Sequence, residues 1–424
     1  MMFRFGHSTH PDWREALELV LVQLEGQRQL EQFASDPARR QKLGLIYCTE
    51  AYADSMAKVL AQLRIRTGFA DWVGGVAPGV CSSGVEYFQE PAMAVMLLEL
   101  PTDSARIFSG KLPLPKAGTL TASGRNAMSA ALIHVDPLME DIDDLLDDLS
   151  VKMASGQLFG GLVSAGASST HVASEPLSGG LSGVIFSEAV GLEVRMTQGV
   201  QMVGGEHQIT SLSGNFIEEL DGQPALDVLL HDIGLSPDEE GQNELDAAAE
   251  MLARRFSNGL FVGLTDRALA DSLDLVKFSS VRAESHQVKV RPVVGMDPEQ
   301  KSLAIGEEFA LGDRLSFCTR DEASARTDLT RMCAELRDEL DATAPKLNAL
   351  QAAGFSGISA NRQPRGAIYI ACNGRGAALF GHQGVEMQIV REQLGDIPLI
   401  GYFANGEIFK GALYGYTGVL VLFF

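Results

Sequence analysis

One pattern of elements recurs three times along the chain, and internal recurrence constrains a fold more than any single motif. A short apolar run rich in β-formers appears as Leu45-Ile46-Tyr47-Cys48, as Leu132-Ile133-His134-Val135 and as Ala367-Ile368-Tyr369-Ile370. A helical pattern follows each, over Ala51 to Leu63, Leu138 to Met153 and Val385 to Leu394. A second run then enters glycine, as Trp72-Val73-Gly74-Gly75, Leu158-Phe159-Gly160-Gly161 and Leu399-Ile400-Gly401-Tyr402. After a small, polar link (Val76 to Gly84, Leu162 to Thr170, Phe403 to Lys410) a third run closes each unit, at Ala94 to Leu100, Leu181 to Phe186 and Gly418 to Phe424. Three strand–helix–strand–strand units predict an α/β fold with mixed sheets flanked by helices.

The glycines after the second run have two readings. Either the backbone there needs a bulge or a positive φ, or a side-chain-free segment lets a ligand reach its N–H groups. Because the pair recurs, the structural reading must hold for some copies.

Between the second and third units lies an insertion, roughly Leu192 to Ala360. It opens with strand patterns at Leu192 to Met202 and Gln208 to Leu212. The turn Leu220-Asp221-Gly222-Gln223-Pro224 leads to a helix from Ala225; hairpin patterns at His286 to Val294, Ser302 to Ile305 and Arg314 to Phe317 follow, then an amphipathic helix from Ala323 to Leu340. Upstream, Asp12 with Glu15 forms a capping box for a helix from Trp13 to about Leu30. Asp, Ser, Pro and Gly cluster between Asp232 and Glu239, which divides the chain into 1–232, holding two units, and 233–424, holding the insertion and the third unit.

Charge and cysteine usage exclude several classes. With 34 basic and 55 acidic residues the net charge is −21, a field that repels nucleic acid and anionic membranes. The acidic run from Asp136 to Asp148 alternates with Leu138, Ile142, Leu145 and Leu149 at helical spacing, so it reads as a solvated helix face; it also lacks the glycine of a calcium loop. Five scattered cysteines (Cys48, Cys81, Cys318, Cys333, Cys372) form no CxxC pair, which favours a reducing, cytoplasmic setting. No signal peptide pattern follows Phe5, and no apolar run approaches the roughly 20 residues of a membrane span. His7 and His10 make a weak metal pair, and an exposed N-terminal loop is the simpler reading.

Gly374-Arg375-Gly376 runs on into Ala377-Ala378-Leu379 and so is not a dinucleotide fingerprint; phosphate-loop, nucleophile-elbow and HExxH motifs are absent, and no enzyme class is indicated. One constellation remains. Cys372-Asn373-Gly374-Arg375-Gly376 sits past one strand end and Ala404-Asn405-Gly406-Glu407-Ile408 past another. Crevices outside strand ends are where α/β sheets bind ligands. In that role Arg375 grips a carboxylate, while Glu407 takes an ammonium or fixes Arg375. The alternative is a buried Arg–Glu pair beside a core cysteine.

At these residues the sequence resembles the FIST family. The C-terminal likeness lies in Cys372 to Gly376, in Ile397-Pro398-Leu399-Ile400-Gly401-Tyr402-Phe403-Ala404-Asn405-Gly406-Glu407-Ile408, and in Tyr416-Thr417-Gly418-Val419. The N-terminal likeness lies in Trp72 to Val76, Phe159-Gly160-Gly161 and Phe216 to Ala225. The resemblance implies a bacterial sensory module for signal transduction. It also implies a small ligand, an amino acid or related metabolite, bound by Cys372, Asn373, Gly374, Arg375, Gly376, Asn405, Gly406 and Glu407. With no output domain attached, the signal would pass to a separate partner protein. Two alternatives stand beside this reading. One is Cys372 as a reactive thiol, in an enzyme or a redox or electrophile sensor, with Arg375 supplying the field and His382 ten residues on. The other is a haem-based nitric-oxide sensor, which a branch of the family resembles, and which needs an axial histidine.

Overall fold

Three six-stranded sheets repeat one strand order. The first runs Met2–Thr9, Ala92–Pro101, Arg40–Thr49, Asp71–Ala77, Thr170–Ala173, Glu175–Ser178. The second runs Ala105–Ser109, Leu181–Ser187, Met128–Val135, Gln157–Leu162, Glu407–Phe409, Ala412–Tyr414. The third runs Leu192–Thr197, Gly418–Phe423, Gly366–Cys372, Leu399–Ala404, Gly79–Ser82, Val85–Phe88. These come from a computed structural model that describes residues 1–31, 40–112, 128–153, 157–164, 166, 169–234, 259–264, 289–306, 309–352 and 363–424. The three sheets belong to a compact unit of Met1–Gln198 with Arg326–Phe424; Gly199–Ala325 forms a second unit.

Within each sheet the third and fourth strands pair in parallel across a helix, and the closing strand pairs antiparallel with the third. The last two strands come from elsewhere. The segment between second and closing strands, which the sequence presents as a small polar link, is a hairpin arm that completes another sheet. Arm 79–88 joins the third sheet, arm 170–178 the first, and arm 407–414 the second. Every sheet thus depends on chain from a different stretch.

The central strands are apolar almost throughout because both faces are covered. Their inner faces share one core that includes Tyr47, Leu132, Phe159, Ile368, Ile400 and Tyr402. Helices Trp13–Glu31 and Met56–Thr67 cover the outer face of the first sheet, and Ile142–Lys152 packs on that of the second. A polar contact lies inside the shared core: the Tyr47 hydroxyl stands 3.0 Å from His134 Nε2, and the Tyr47 and Tyr402 rings stack at 4.4 Å. Burial pushes His134 down to about 3, so its imidazole is neutral.

The recurrent glycines have a steric cause. Gly74, Gly160 and Gly401 lie opposite Ile46, Ile133 and Tyr369 on the parallel neighbour. A Cβ at these positions would stand 1.7, 1.9 and 1.8 Å from the facing carbonyl oxygen, and Gly74 and Gly160 have φ of +149° and +150°. Only glycine allows that approach.

The Gly199–Ala325 unit is an antiparallel sheet of Val200–Ser213, Arg314–Arg320, Leu260–Leu264, Lys289–Asp297, Ser302–Ile305, Phe216–Leu220 and Gln223–Pro224, and the first of these also pairs with Phe216–Leu220. The expected strands 192–202 and 208–212 are instead Leu192–Thr197, which edges the third sheet, and the single long strand Val200–Ser213. Helix Ala225–Asp232 buries Leu226 and Leu229 against Ile209 and Leu303. His207 is held between Asp221 (2.7 Å) and Asp232 (2.8 Å); burial opposes its charge, but the two carboxylates outweigh it and raise its pKa. The domain boundary placed near 232–239 falls, from residue 235 on, outside the described residues, as does 286–288 of the expected hairpin. The stretch around His7, read as a loop, is strand Met2–Thr9, with His7 Nδ1 2.7 Å from the Tyr87 hydroxyl.

Gly160→Ala should therefore destabilise the chain by at least about 3 kcal/mol in urea unfolding, against the roughly 0.5 kcal/mol typical of an exposed change. A loss below 1 kcal/mol would show that the strands part easily.

Candidate functional site

The parallel strands Gly366–Cys372 and Leu399–Ala404 end side by side, and the chain leaves both as glycine-rich loops. The loops are tied where they part: the Asn373 N–H donates to Ala404 O (2.7 Å), the Arg375 N–H to Cys372 O (2.8 Å) and the Cys372 N–H to Thr417 O (2.8 Å). Gly376 (φ +54°) turns the first loop into the short helix Gly376–Phe380, and Gly406 (φ +156°) launches the hairpin arm. Both conformations favour glycine.

The eight residues singled out in the sequence fall into two groups. Cys372, Asn373, Gly374 and Asn405 stand at the rim, half-buried or exposed. There Asn373 Nδ2 donates to Asn405 Oδ1 (3.4 Å), and Asn405 Nδ2 donates to Ser164 Oγ (2.7 Å). Asn373 Oδ1 is buried without a hydrogen-bond partner. Arg375, Gly376, Gly406 and Glu407 lie beneath, buried.

Arg375 is 1% exposed, and its carboxylate partner is Glu386, from the first turn of helix Val385–Leu394. Its Nε and Nη2 both stand 2.6 Å from Glu386 Oε1, which also accepts from the Tyr369 hydroxyl (2.5 Å). Burial disfavours the guanidinium charge, but Glu386 and its neighbours outweigh it and raise the pKa. Glu407, fully buried, accepts from the Thr417 amide (3.1 Å) and hydroxyl (2.7 Å).

A further carboxylate joins this nest from another part of the chain. Glu86, on the arm that completes the third sheet, accepts from the Met387 N–H (3.3 Å) at the N-terminus of helix Val385–Leu394. Burial and the Glu386 charge push Glu86 up to about 7, against the pull of the Gly384 and Met387 amides and Arg375. Glu386 holds the Arg375 guanidinium directly, and Glu86 stands at the N-terminus of the same helix. No local signal marks Glu86, because its place depends on the exchanged arm. Glu386 could have been suspected from its position in a helical first turn, where acids are favoured.

The loop after strand Gln157–Leu162 links this rim to its counterpart in the first sheet. Ser164 meets Asn405, and Gly166 packs so closely under Glu50 that a Cβ there would strike the carboxylate. Glu50, with Thr49 and Pro78 at the strand ends of the first sheet, lines a cavity of about 490 Å³, within the usual range for small-molecule sites.

Among the described residues no group of three His, Cys, Asp or Glu is placed to hold a metal, and no helix is long and apolar enough to cross a membrane. His7, His134, His171 and His207 spend ring nitrogens on Tyr87, Tyr47, Ser182 with Gly179 O, and Asp221 with Asp232, while His231 and His382 stand exposed. Four cysteines are buried and Cys372 is half-buried, and none of the five forms a disulfide.

Residues 42–223 match the family model of the FIST N domain, and residues 225–410 that of the FIST C domain. Similar full-length proteins include an uncharacterized protein of Mycobacterium tuberculosis, 28% identical over 435 residues and covering 100% of both chains. Another is an uncharacterized protein of Mycobacterium bovis, 28% identical over 436 residues, covering 100% of this chain and 99% of that one.

The buried charge nest gives a pH-dependent expectation. A carboxyl whose folded pKa is raised contributes stability in full below its unfolded value near 4.3, and loses it as pH rises through about 7. Glu86→Gln keeps the acceptor for Met387 but cannot ionise. Urea unfolding should show the Gln variant gaining on the native chain by about 2 kcal/mol between pH 5 and 8. A constant difference over that range would contradict the assignment.

Proposed function

The chain belongs to the FIST family, and from that premise we propose that it is a sensory protein whose small ligand binds at the rim of Cys372, Asn373, Gly374 and Asn405. FIST domains are sensory, signal-transduction modules. The observation that supports this location is Asn373 Oδ1, a buried acceptor without a partner beside a chain of amide and hydroxyl groups at paired strand ends. Buried polar atoms are normally satisfied, so an unsatisfied one at a crevice favours a polar ligand that donates to it. An amino acid or a related metabolite has such donors. Arg375, Gly376, Gly406 and Glu407 act in this reading as positioning residues: their bonds and backbone conformations fix the loops that present the rim. Output passes to a separate protein, in a cytoplasmic setting where the cysteines, none of them in a disulfide, stay reduced.

A second reading is favoured by the exposure of one thiol. Burial pushes Cys48, Cys318 and Cys333 up to about 12 and Cys81 higher still, which leaves Cys372 as the reachable sulfur. It would serve as an electrophile or redox sensor at the same rim.

A thermal-shift screen of amino acids and central metabolites tests the first reading. A ligand at 100 times its Kd stabilises by about 2.7 kcal/mol, and Asn405→Ala should abolish the shift while the fold persists. No shift with any metabolite, or a shift unchanged in Asn405→Ala, contradicts it. For the second reading, iodoacetamide should label the native chain at Cys372 alone. If labelling of Cys372 is as slow as that of the buried thiols, the sulfur has no sensing role.

A further inference from the structure

We propose that His207 is a proton-operated clasp within the Gly199–Ala325 unit. With both ring nitrogens protonated it ties the turn at Asp221 and the end of helix Ala225–Asp232 to strand Val200–Ser213, and loss of one proton releases the turn. The geometry sets the protonation state. His207 Nδ1 stands 2.7 Å from Asp221 Oδ2, and Nε2 stands 2.8 Å from Asp232 Oδ2. An ionised carboxylate only accepts, and a neutral imidazole offers one N–H and one lone pair. Both contacts are hydrogen bonds only when the ring carries two protons.

Both acids are placed by the surrounding backbone. The ladder between Val200–Ser213 and Arg314–Arg320 shifts register between Val203 and Glu206, and Gly204 in that bulge has φ +72°. A Cβ there would stand 1.9 Å from Asp232 Oδ2, so the glycine leaves the space that the carboxylate fills. Asp221 Oδ1 accepts from the Gln208 N–H (2.9 Å), and the Asp221 N–H donates to Gln208 O (2.9 Å). The Gln208 N–H and His207 hold the Asp221 carboxyl below the usual range, with Arg314 adding at longer range, so it is ionised. Other charges on the neighbouring elements are placed elsewhere. Glu206 pairs with Arg314 of the facing strand (2.9 Å), and Arg320 lies at that strand's far end, opposite Val200. On Phe216–Leu220, Glu218 accepts from Ser211 Oγ (2.7 Å) and Glu219 is exposed. On the helix, Asp227 pairs with Lys301 (2.9 Å), and the exposed His231 lies 3.6 Å from Asp232 Oδ1.

Burial opposes the ring charge, but Asp221 and Asp232 outweigh it and hold the His207 pKa above the ordinary 6.5. A group whose folded pKa is raised contributes stability in full below its unfolded value, and that contribution is lost as pH rises through the folded one. The clasp is thus closed on the acid side of that midpoint and opens on the alkaline side. Which bond is given up follows from exposure: the Asp221 side chain is 50% exposed and that of Asp232 6%. Water can take over the exposed carboxylate and not the buried one. The remaining N–H therefore stays on Nε2 toward Asp232, and the Nδ1 lone pair faces Asp221. The turn that is freed leads from strand Phe216–Leu220 into helix Ala225–Asp232. This device goes beyond the ligand reading, since no rim residue takes part in it and its test uses no ligand.

The test is a long-range 1H–15N correlation spectrum of the full chain with labelled histidine, followed from about pH 5 to 9. The resonance that disappears in His207→Gln identifies the ring. Both nitrogens of His207 should give imidazolium signals up to a midpoint above 6.5, and the neutral ring beyond it should carry its proton on Nε2. Asp232→Asn should bring that midpoint down toward the ordinary value, and the resonance it moves identifies the ring where the Gln variant folds poorly. Hydrogen exchange of the native chain, corrected for the intrinsic rate, should show the Gln208 and Asp221 amides losing protection as pH passes the midpoint. The amides of Leu260–Leu264, two strands away in the sheet, should keep theirs. A midpoint at or below 6.5 overturns the proposal, as does a neutral ring protonated at Nδ1, which would put the second proton on Asp232. Level protection of Gln208 and Asp221 through the midpoint, or a loss that Leu260–Leu264 shares equally, overturns the release of the turn.

Discussion

The exchanged hairpin arms are the constraint on which the rest of this unit depends. A strand at a sheet edge presents unpaired N–H and C=O groups and must be covered or paired. Here the second strand of each parallel pair would be such an edge, and in all three sheets a hairpin from another stretch of chain pairs with it. The arms also explain why the strand ends gather. An arm can reach a neighbouring sheet only where the chain leaves the carboxyl end of its own second strand, so the loops at Pro78, Ser164 and Asn405 are brought toward one region.

The charge nest under the rim is a consequence of the same exchange. Glu86 travels on an arm, Glu386 sits in a helical first turn, Arg375 in a loop and Tyr369 in a central strand. The remote arm is thereby joined to the loop and the strand at the start of one helix: Arg375 and Tyr369 both bond the Glu386 carboxylate, and Glu86 accepts from the Met387 N–H. Such a nest is costly to assemble and strongly destabilised by removal of one member, so it fixes the loop that carries Cys372 and Asn373. The rim can then be polar and accessible without being loose. This division of labour, buried charges that position and neutral amides that face outward, is what the sensory reading relies on.

Much of the fold was legible because its strands are buried on both faces and read as continuous apolar runs. Leu45 to Cys48, Leu132 to Val135 and Ala367 to Ile370 all lie in central strands, and Val385–Leu394 is a helix with those bounds. The helix expected from Leu138 begins at Ile142 because Asp136 makes a turn, its carboxylate accepting from the Leu138 N–H. Strand Met2–Thr9 was hidden by its polar residues, whose side chains bond to neighbouring elements: Arg4 to Glu99, His7 to the Tyr87 hydroxyl and Ser8 to Ala16 O. The arms were not legible at all, since nothing local says which sheet a small polar link will join. For the same reason Arg375 could be placed at a strand end but not matched to Glu386, whose carboxylate is brought to it by tertiary packing.

The central claim is that the three sheets, closed by one another's arms, form a single cooperative unit on which the rim is built. Native-state hydrogen exchange tests it directly. The ladder amides of arms 79–88, 170–178 and 407–414 should open with one common free energy, equal to that of the central strands Arg40–Thr49, Met128–Val135 and Gly366–Cys372. If one arm exchanges several kcal/mol more easily while the sheet it completes stays protected, the sheets stand independently and the account is contradicted.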